Sequence, residues 1–323
     1  MDRALRLGVD LGGTKTEAIV LRLRGDEPRV LARQRIPTER DAGYEHVVAS
    51  TARLVADVAR EAGLASPPPI GVGMPGGVTL RANDGSRSDV PLVKNSNTTC
   101  LNGRPFRADL VRALASTFAS ATGFDASTTA FANDANCFAL AEATYGATRG
   151  TRVSFGAILG TGVGGGIALR FGGAARAWDG AQGIAGEWGH VVLDPEADLP
   201  CYCGRRGCIE QYLSGPAIER AYAKRTGRAA SVVEIADAAG IDADARAVLD
   251  AFIAAFGRGM ATVIDVLDPD AIVLGGGVSN LPILYEEGPA AVARWVFNDE
   301  LGTPILQHAL GDSAGVYGAA LLA

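Results

Sequence analysis

Asp10-Leu11-Gly12-Gly13-Thr14-Lys15 is a glycine-rich turn set between two apolar runs, inside the unit Leu5–Leu23. Alternating apolar residues lead into it and Ala18-Ile19-Val20-Leu21 leads out, the pattern of a β-hairpin with a glycine-rich tip. A similar unit recurs at 153–171. There Val153-Ser154-Phe155-Gly156-Ala157-Ile158-Leu159 runs into Gly160-Thr161-Gly162 and out through Gly166-Ile167-Ala168-Leu169. Leu11-Gly12 and Leu159-Gly160 hold matching places. Two copies of one supersecondary unit, nearly half a chain apart, imply a duplicated domain.

Helical periodicity surrounds the two hairpins. Residues 44–62 place Val47, Val48, Thr51, Leu54, Val55 and Val58 on one face, and further helices fit 107–119 and 134–145. Ser214 as N-cap and Pro216 in the first turn start a helix through Ala217–Lys224. A longer helix over about 244–266 stops before Asp268-Pro269-Asp270. The buried strand Ala271-Ile272-Val273-Leu274 then enters Gly275-Gly276-Gly277, and a short apolar helix at 314–322 ends the chain. Strands alternating with helices predict an α/β fold. Pro67-Pro68-Pro69 reads as a rigid loop entrance.

The 323 residues suggest two domains, and 48% hydrophobic with 20% charged residues supports a sizeable core. A net charge of −6 without any basic run argues against nucleic acid or an anionic membrane as partner. No stretch is expected to span a bilayer, which needs ~20 apolar residues. Met1-Asp2-Arg3-Ala4-Leu5-Arg6 passes straight into a strand pattern with no signal-peptide core, so a cytoplasmic location is expected. Only three of 30 basic residues are lysines, which draws attention to Lys15 in the first turn.

Five stretches carry candidate chemistry. In 10–15, glycines let backbone N–H groups approach an oxyanion, with Thr14 and Lys15 adding donors and charge. The bland alternative is a plain hairpin turn, with Asp10 either a magnesium-water ligand or a turn-stabilising carboxylate. Leu159-Gly160-Thr161-Gly162-Val163-Gly164-Gly165-Gly166 is either a second phosphate-contacting loop or a mobile one. Gly275-Gly276-Gly277 suits close approach of an adenosine. Asn133-Asp134 precedes a helix, where a carboxylate fits either a base for an alcohol nucleophile or simple N-capping. His190 with Cys201, Cys203 and Cys208 makes a Cys3His set with the spacing of structural zinc, which would hold Glu187 and Glu210 where they bind sugar hydroxyls. Cys100 and Cys137 read as small buried hydrophobes. His46 and His308 have no triad-like context.

Taken in order, these segments resemble the ROK sugar kinases of the actin-like ATPase superfamily. The resemblance covers nearly the whole chain: DLGGTK at 10–15, ANDAN at 132–136, LGTGVGGG at 159–166, GEWGH at 186–190, CYCGRRGCIE at 201–210, DPDAIVLGGG at 268–277 and GDSAGVYGAA at 311–320. Within the family the sequence is most similar to the manno(fructo)kinase branch, through Arg35-Ile36-Pro37-Thr38, Val93-Lys94-Asn95-Ser96-Asn97, Leu101-Asn102-Gly103 and Trp188. The N-acetylglucosamine kinases share LGTGVGGG and the zinc motif.

The resemblance implies a two-domain actin-like ATPase (ribonuclease H-like) fold with a duplicated β-sheet core and a zinc-bound loop. It implies a smaller domain at 1–128, a larger one at 129–310, and a terminal segment 311–323 that packs back on the first. The domains would close around ATP, magnesium and a hexose, phosphorylated at its 6-hydroxyl. Asp134 looks like the catalytic base. Asn133, Glu187, His190 and Glu210 look like sugar ligands, His190 also binding zinc with Cys201, Cys203 and Cys208. Asp10, Gly12, Gly13, Thr14 and Lys15, with Thr161, Gly162 and Gly164, would serve the phosphates and magnesium, and Gly275 and Gly276 the adenosine. Fructose or mannose is the expected acceptor, with N-acetylglucosamine or glucose as the alternative, and a homodimer is implied. Residues 80–89 form a longer polar loop than that branch leads one to expect. A sugar-sensing repressor is the alternative from another class. With nine residues before Asp10 and an acidic chain, no helix-turn-helix is expected.

Overall fold

The computed structural model describes residues 4–25, 27–82 and 84–323; Met1-Asp2-Arg3, Asp26 and Asn83 lie outside the described residues. Two compact units are present. The first comprises Met1–Ala141, Arg176–Ile184 and Asp312–Ala323, and the second Glu142–Ala175 and Ala185–Gly311.

In the first unit, β1 (Leu5–Leu11) and β2 (Lys15–Arg24) form the antiparallel hairpin read from the sequence, with Leu11 opposite Thr16. β3 (Glu27–Pro37) extends it. After α1 (Tyr44–Glu61), β4 (Ile70–Met74) pairs parallel to β1. A separate hairpin follows, β5 (Gly77–Arg81) with β6 (Arg87–Lys94), then α2 (Phe106–Thr117). β7 (Ala130–Asn133) pairs parallel to β4 and leads directly into α3 (Asp134–Tyr145). The sheet order is β3-β2-β1-β4-β7. Val47, Val48, Leu54, Val55 and Val58 of α1 are buried with Leu110 and Leu114 of α2 in one core. The stretch 80–89, expected as a polar loop, is instead mostly the strand ends and turn of the β5/β6 hairpin. Asp84 accepts hydrogen bonds from the Ser86 backbone and hydroxyl at that turn.

The second unit repeats the plan. β8 (Val153–Leu159) and β9 (Val163–Leu169) form an antiparallel hairpin, the strand Ala271–Gly275 pairs parallel to β8, and Ile305–Gln307 pairs parallel to that strand. These four follow the order of β2-β1-β4-β7, so the duplication read from two hairpins extends to two parallel strands in each sheet. Helices cover this sheet's core or its rim, among them α4 (Glu210–Leu213), α5 (Gly215–Thr226), α6 (Val232–Ala238) and α7 (Ala243–Leu267). Ser214 caps α5 by accepting from Ala217 N–H, as its position before Pro216 predicts.

α7 is a long, mostly buried apolar helix. Its 25 residues are long and apolar enough to cross a membrane by length and composition, since only Asp250 and Arg258 are charged between Ala247 and Ile264. Phe252, Phe256, Met260 and Val263 lie instead in the second unit's core, which explains an apolar helix in an otherwise ordinary sequence.

The terminal helix Ala314–Leu321 packs on the first unit with its backbone almost touching the sheet. A Cβ on Gly8 would lie 2.3 Å from Val316 O, one on Gly71 1.9 Å from Ala319 O, and one on Gly318 1.7 Å from Cys137 O. Glycine is required on both sides of this contact. Gly71→Ala should therefore destabilise the protein by about 3 kcal/mol, because rigid backbone cannot yield as a side chain would. An unchanged midpoint in denaturant would contradict this packing.

Candidate active site

β1, β4 and β7 run parallel, so their carboxyl ends share one edge of the first sheet, the edge where α/β sheets bind ligands. The 10–15 turn follows β1 at this edge, and Asn133 and Asp134 follow β7. Gly12 N–H donates to Lys15 O at 3.0 Å, closing the turn, while Thr14 and Lys15 are exposed. Asp10 sits opposite Glu17 across the hairpin. Burial, then the charges of Asp134 and Glu17, push its pKa up to about 7 against the opposing pull of Lys15 and Arg35. Glu17 itself is buried and paired with both Arg33 and Arg35 of β3. The terminal helix backs Asp10 so closely that a Cβ on Gly315 would lie 2.6 Å from its Oδ2.

Asp10 holds its proton more tightly in the folded protein than in the unfolded chain, where its ordinary value is near 3.8. Its contribution to stability is thus fullest below that value and is lost as pH rises towards about 7. Asp10→Asn should flatten this part of the pH profile. Unfolding midpoints that fall as steeply between pH 4 and 7 as the parent's would contradict the assignment.

Asn133 and Asp134 both accept a hydrogen bond at the start of α3. Asn133 is the cap: its Oδ1 accepts from Ala135 N–H at 2.8 Å, and its Nδ2 donates to Gly76 O at 3.1 Å. One amide hydrogen and one lone pair of Asn133 remain for a ligand. Asp134 is the first helical residue of α3, and its Oδ1 also accepts from Ala135 N–H at 2.9 Å.

Within the second unit, the β8/β9 tip Gly160-Thr161-Gly162 is closed by Gly160 N–H to Gly162 O at 2.9 Å. Gly215 N–H, at the start of α5, donates to Gly160 O at 2.8 Å. Glu210 braces the same tip, its Oε2 accepting from Val163 N–H at 3.1 Å. A Cβ on Gly162 would come within 2.8 Å of that oxygen. The glycine run answers a packing demand that the sequence reading did not see. The Gly186–His190 turn lies against β9, where a Cβ on Gly165 would lie 2.4 Å from both Phe155 and Trp188, and one on Gly189 2.1 Å from Val163 O. Trp188 Nε1–H donates to Gly164 O at 2.9 Å. Gly276 lies beside the tip end of the β8/β9 hairpin, 2.3 Å from Leu159 O to a would-be Cβ, and Gly275 ends the buried strand.

The Glu187–His190 turn brings together the residues expected to act there. Burial raises the Glu187 pKa, with the Glu210 charge adding to it and His190 opposing. The donor atoms of His190, Cys201, Cys203 and Cys208 all lie within 4.8 Å of one another. Cys203 Sγ and Cys208 Sγ are 3.6 Å apart, and Cys201 Sγ lies 3.5 Å from His190 Nδ1. Ligands about 2.3 Å from a tetrahedral zinc lie about 3.8 Å from one another, so this donor set fits a closed zinc shell with Nδ1 as the fourth ligand. His190 Nε2 faces the Tyr202 hydroxyl at 2.9 Å, a partner the sequence reading did not assign. Asn136, whose Nδ2 donates to Asp179 Oδ1 at 2.7 Å beside α3, is another. Cys137 is fully buried with its thiol pKa raised by burial, and Cys100 is half-buried.

Duplicated sheets with glycine-rich hairpin tips, a carboxylate opening a helix in one unit and a Cys3His turn in the other define an ATP-dependent sugar kinase with the actin-like ATPase fold. The chain belongs to the ROK family, whose model matches residues 6–323. It is 32% identical over 326 residues to the N-acetyl-D-glucosamine kinase of Vibrio vulnificus strain YJ016, covering 98% of each chain. Among solved structures it is similar to the ROK hexokinase of Thermus thermophilus, with a TM-score of 0.80 and 32% identity, covering 99% of this chain and 97% of that one. It is also similar to a ROK family glucokinase of Streptomyces griseus in complex with glucose and AMPPNP, with a TM-score of 0.72, 27% identity and 99% of each chain covered.

Proposed function

We propose that the protein transfers the γ-phosphoryl group of ATP to the 6-hydroxyl of a hexose, with N-acetyl-D-glucosamine as the preferred acceptor. The observation that carries the acceptor is the whole-length relatedness to an N-acetyl-D-glucosamine kinase at 32% identity. The fructose or mannose acceptor expected from the sequence has no such support among these relatives and gives way to the alternative stated with it.

Asp134 accepts the proton of the 6-hydroxyl as that oxygen bonds to the γ-phosphorus and the bond to the β-phosphate oxygen breaks, releasing ADP. In so loose a transition state the base mainly orients the hydroxyl, and positioning with electrostatics supplies most of the acceleration. Asn133, Glu187, His190 and Glu210 hold the sugar hydroxyls. The N–H groups of the 10–15 turn and of the 160–164 tip, with Thr14, Lys15 and Thr161, hold phosphate oxygens. Gly275 and Gly276 lie beside the adenosine. Asp10 holds magnesium, which when bound neutralises charge on the transferring group. His190, Cys201, Cys203 and Cys208 hold zinc as a structural ion that fixes the loop carrying Glu187 and Glu210. A homodimer and a cytoplasmic location belong to the same proposal.

The acceptor is tested by initial rates with ATP and magnesium across N-acetyl-D-glucosamine, glucose, mannose, fructose and N-acetylmannosamine. The highest kcat/KM should fall on N-acetyl-D-glucosamine. A clear preference for fructose or mannose would overturn the acceptor while leaving the phosphoryl-transfer chemistry in place.

A further inference from the structure

Two buried hydroxyls outside the expected site converge on the first phosphate turn. Thr38 follows β3 and Thr98 follows the β5/β6 hairpin; their exposures are 1% and 0%. Thr38 Oγ1–H donates to Gly12 O at 2.8 Å, and Thr98 Oγ1 reaches the same oxygen at 3.4 Å. Because the Thr38 hydroxyl spends its one proton on Gly12, the Thr16 hydroxyl donates to Thr38 at 3.0 Å, making a buried relay of two hydrogen bonds. The Thr38 backbone N–H takes the Thr14 carbonyl at 3.0 Å, and Gly12 N–H takes the Lys15 carbonyl.

The carbonyls of Gly12, Thr14 and Lys15 are thus all held inside the protein. Among the described residues the N–H groups of Gly13 and Thr14 make no hydrogen bond within the chain. An oxyanion is held by a turn that offers donors, and a carbonyl rotated into the same space repels it. A β-turn with unpinned carbonyls can flip its peptides; this one is fixed at three of them.

We infer that Thr38, supported by Thr98, is a positioning residue for nucleotide binding: its hydroxyl holds the Gly12 carbonyl and its backbone N–H the Thr14 carbonyl inward, so that the turn presents the Gly13 and Thr14 N–H groups to phosphate. The inference rests on the proposed role of that turn in holding ATP phosphates. A purely structural hydroxyl would affect stability alone, whereas this one sets the affinity for one of two substrates.

The test compares Thr38→Val, which keeps the shape and removes the hydroxyl, with Thr38→Ser, which keeps the hydroxyl. ATP with magnesium is titrated calorimetrically into each protein without sugar, and KM is measured for both substrates. Thr38→Val should bind ATP about tenfold more weakly and raise the KM for ATP, leaving the KM for the hexose within about twofold. Thr38→Ser should restore ATP binding to within about twofold of the parent. If Thr38→Val does not fold, Thr98→Val serves, with about threefold weaker ATP binding expected from its longer contact. Unchanged ATP affinity with a lowered melting temperature would overturn the inference, as would equal losses for both substrates. A parent that binds no ATP would remove the proposed function itself, an outcome separate from any difference between the variants.

Discussion

Asp134→Asn is expected to fold, to bind ATP and hexose with nearly the parent's affinities, and to turn over about 10³-fold more slowly. The geometry makes this substitution unusually clean. Asn133, not Asp134, caps α3, so the helix keeps its start when the carboxylate is removed. The hydrogen bond from Ala135 N–H to Asp134 Oδ1 also survives, because an asparagine oxygen accepts it equally well. What is lost is a proton acceptor and one negative charge near Asp10, whose raised pKa should then relax downward. The loss should therefore fall on kcat and leave the hexose KM almost unchanged, the pattern of an interaction made in the transition state. Turnover within a few-fold of the parent would remove Asp134 as the base.

Stripping zinc should be the second large effect. The protein is expected to carry one zinc per chain, and chelation or Cys208→Ser should lower the melting temperature by about 10 °C and abolish turnover. Several kcal/mol are at stake because the 186–210 segment has little apolar core of its own, and metal binding there is part of its folding energy. Cys208 is fully buried, and Gly207, at φ 63, places its would-be Cβ 1.7 Å from Asp194 O, so the loop has no slack to refold around a missing ligand. Glu210, two residues on, braces the Gly160–Gly162 tip, which links loss of metal to loss of the phosphate hairpin. Metal analysis that finds no zinc, with full activity, would contradict the structural role.

The parts of this molecule legible in its sequence are those where local pattern and tertiary role agree. Both hairpins, α1 with its buried Val47–Val58 face, and α5 behind its Ser214 cap follow from apolar spacing and turn chemistry. β4 and β7 are not legible in this way. They are short strands whose place is set by parallel pairing to β1, and no local signal announces a distant partner. The 80–89 stretch reads as a loop because Asp84–Asp89, a run without an apolar residue, sits at an exposed hairpin end. At the site, the Cys3His spacing and the two glycine turns are visible in one dimension. Thr38, Thr98 and Tyr202 are not, since each acts through a partner remote in sequence: Gly12 for the threonines, His190 for the tyrosine. The glycine run 162–166 shows the converse. Its sequence fits a phosphate-contacting loop or a mobile one, and Gly165 answers to neither, since Phe155 and Trp188 require it. A bare count of glycines does not separate ligand space from packing space.

The central claim, phosphoryl transfer to a sugar, is tested most directly by measuring ADP release and sugar phosphate together, with ATP and magnesium, in the presence and absence of N-acetyl-D-glucosamine and the other hexoses. ADP release that depends on the sugar, with one equivalent of hexose 6-phosphate formed per ADP, is the predicted result. ADP release indifferent to every sugar, or none at all, would contradict it.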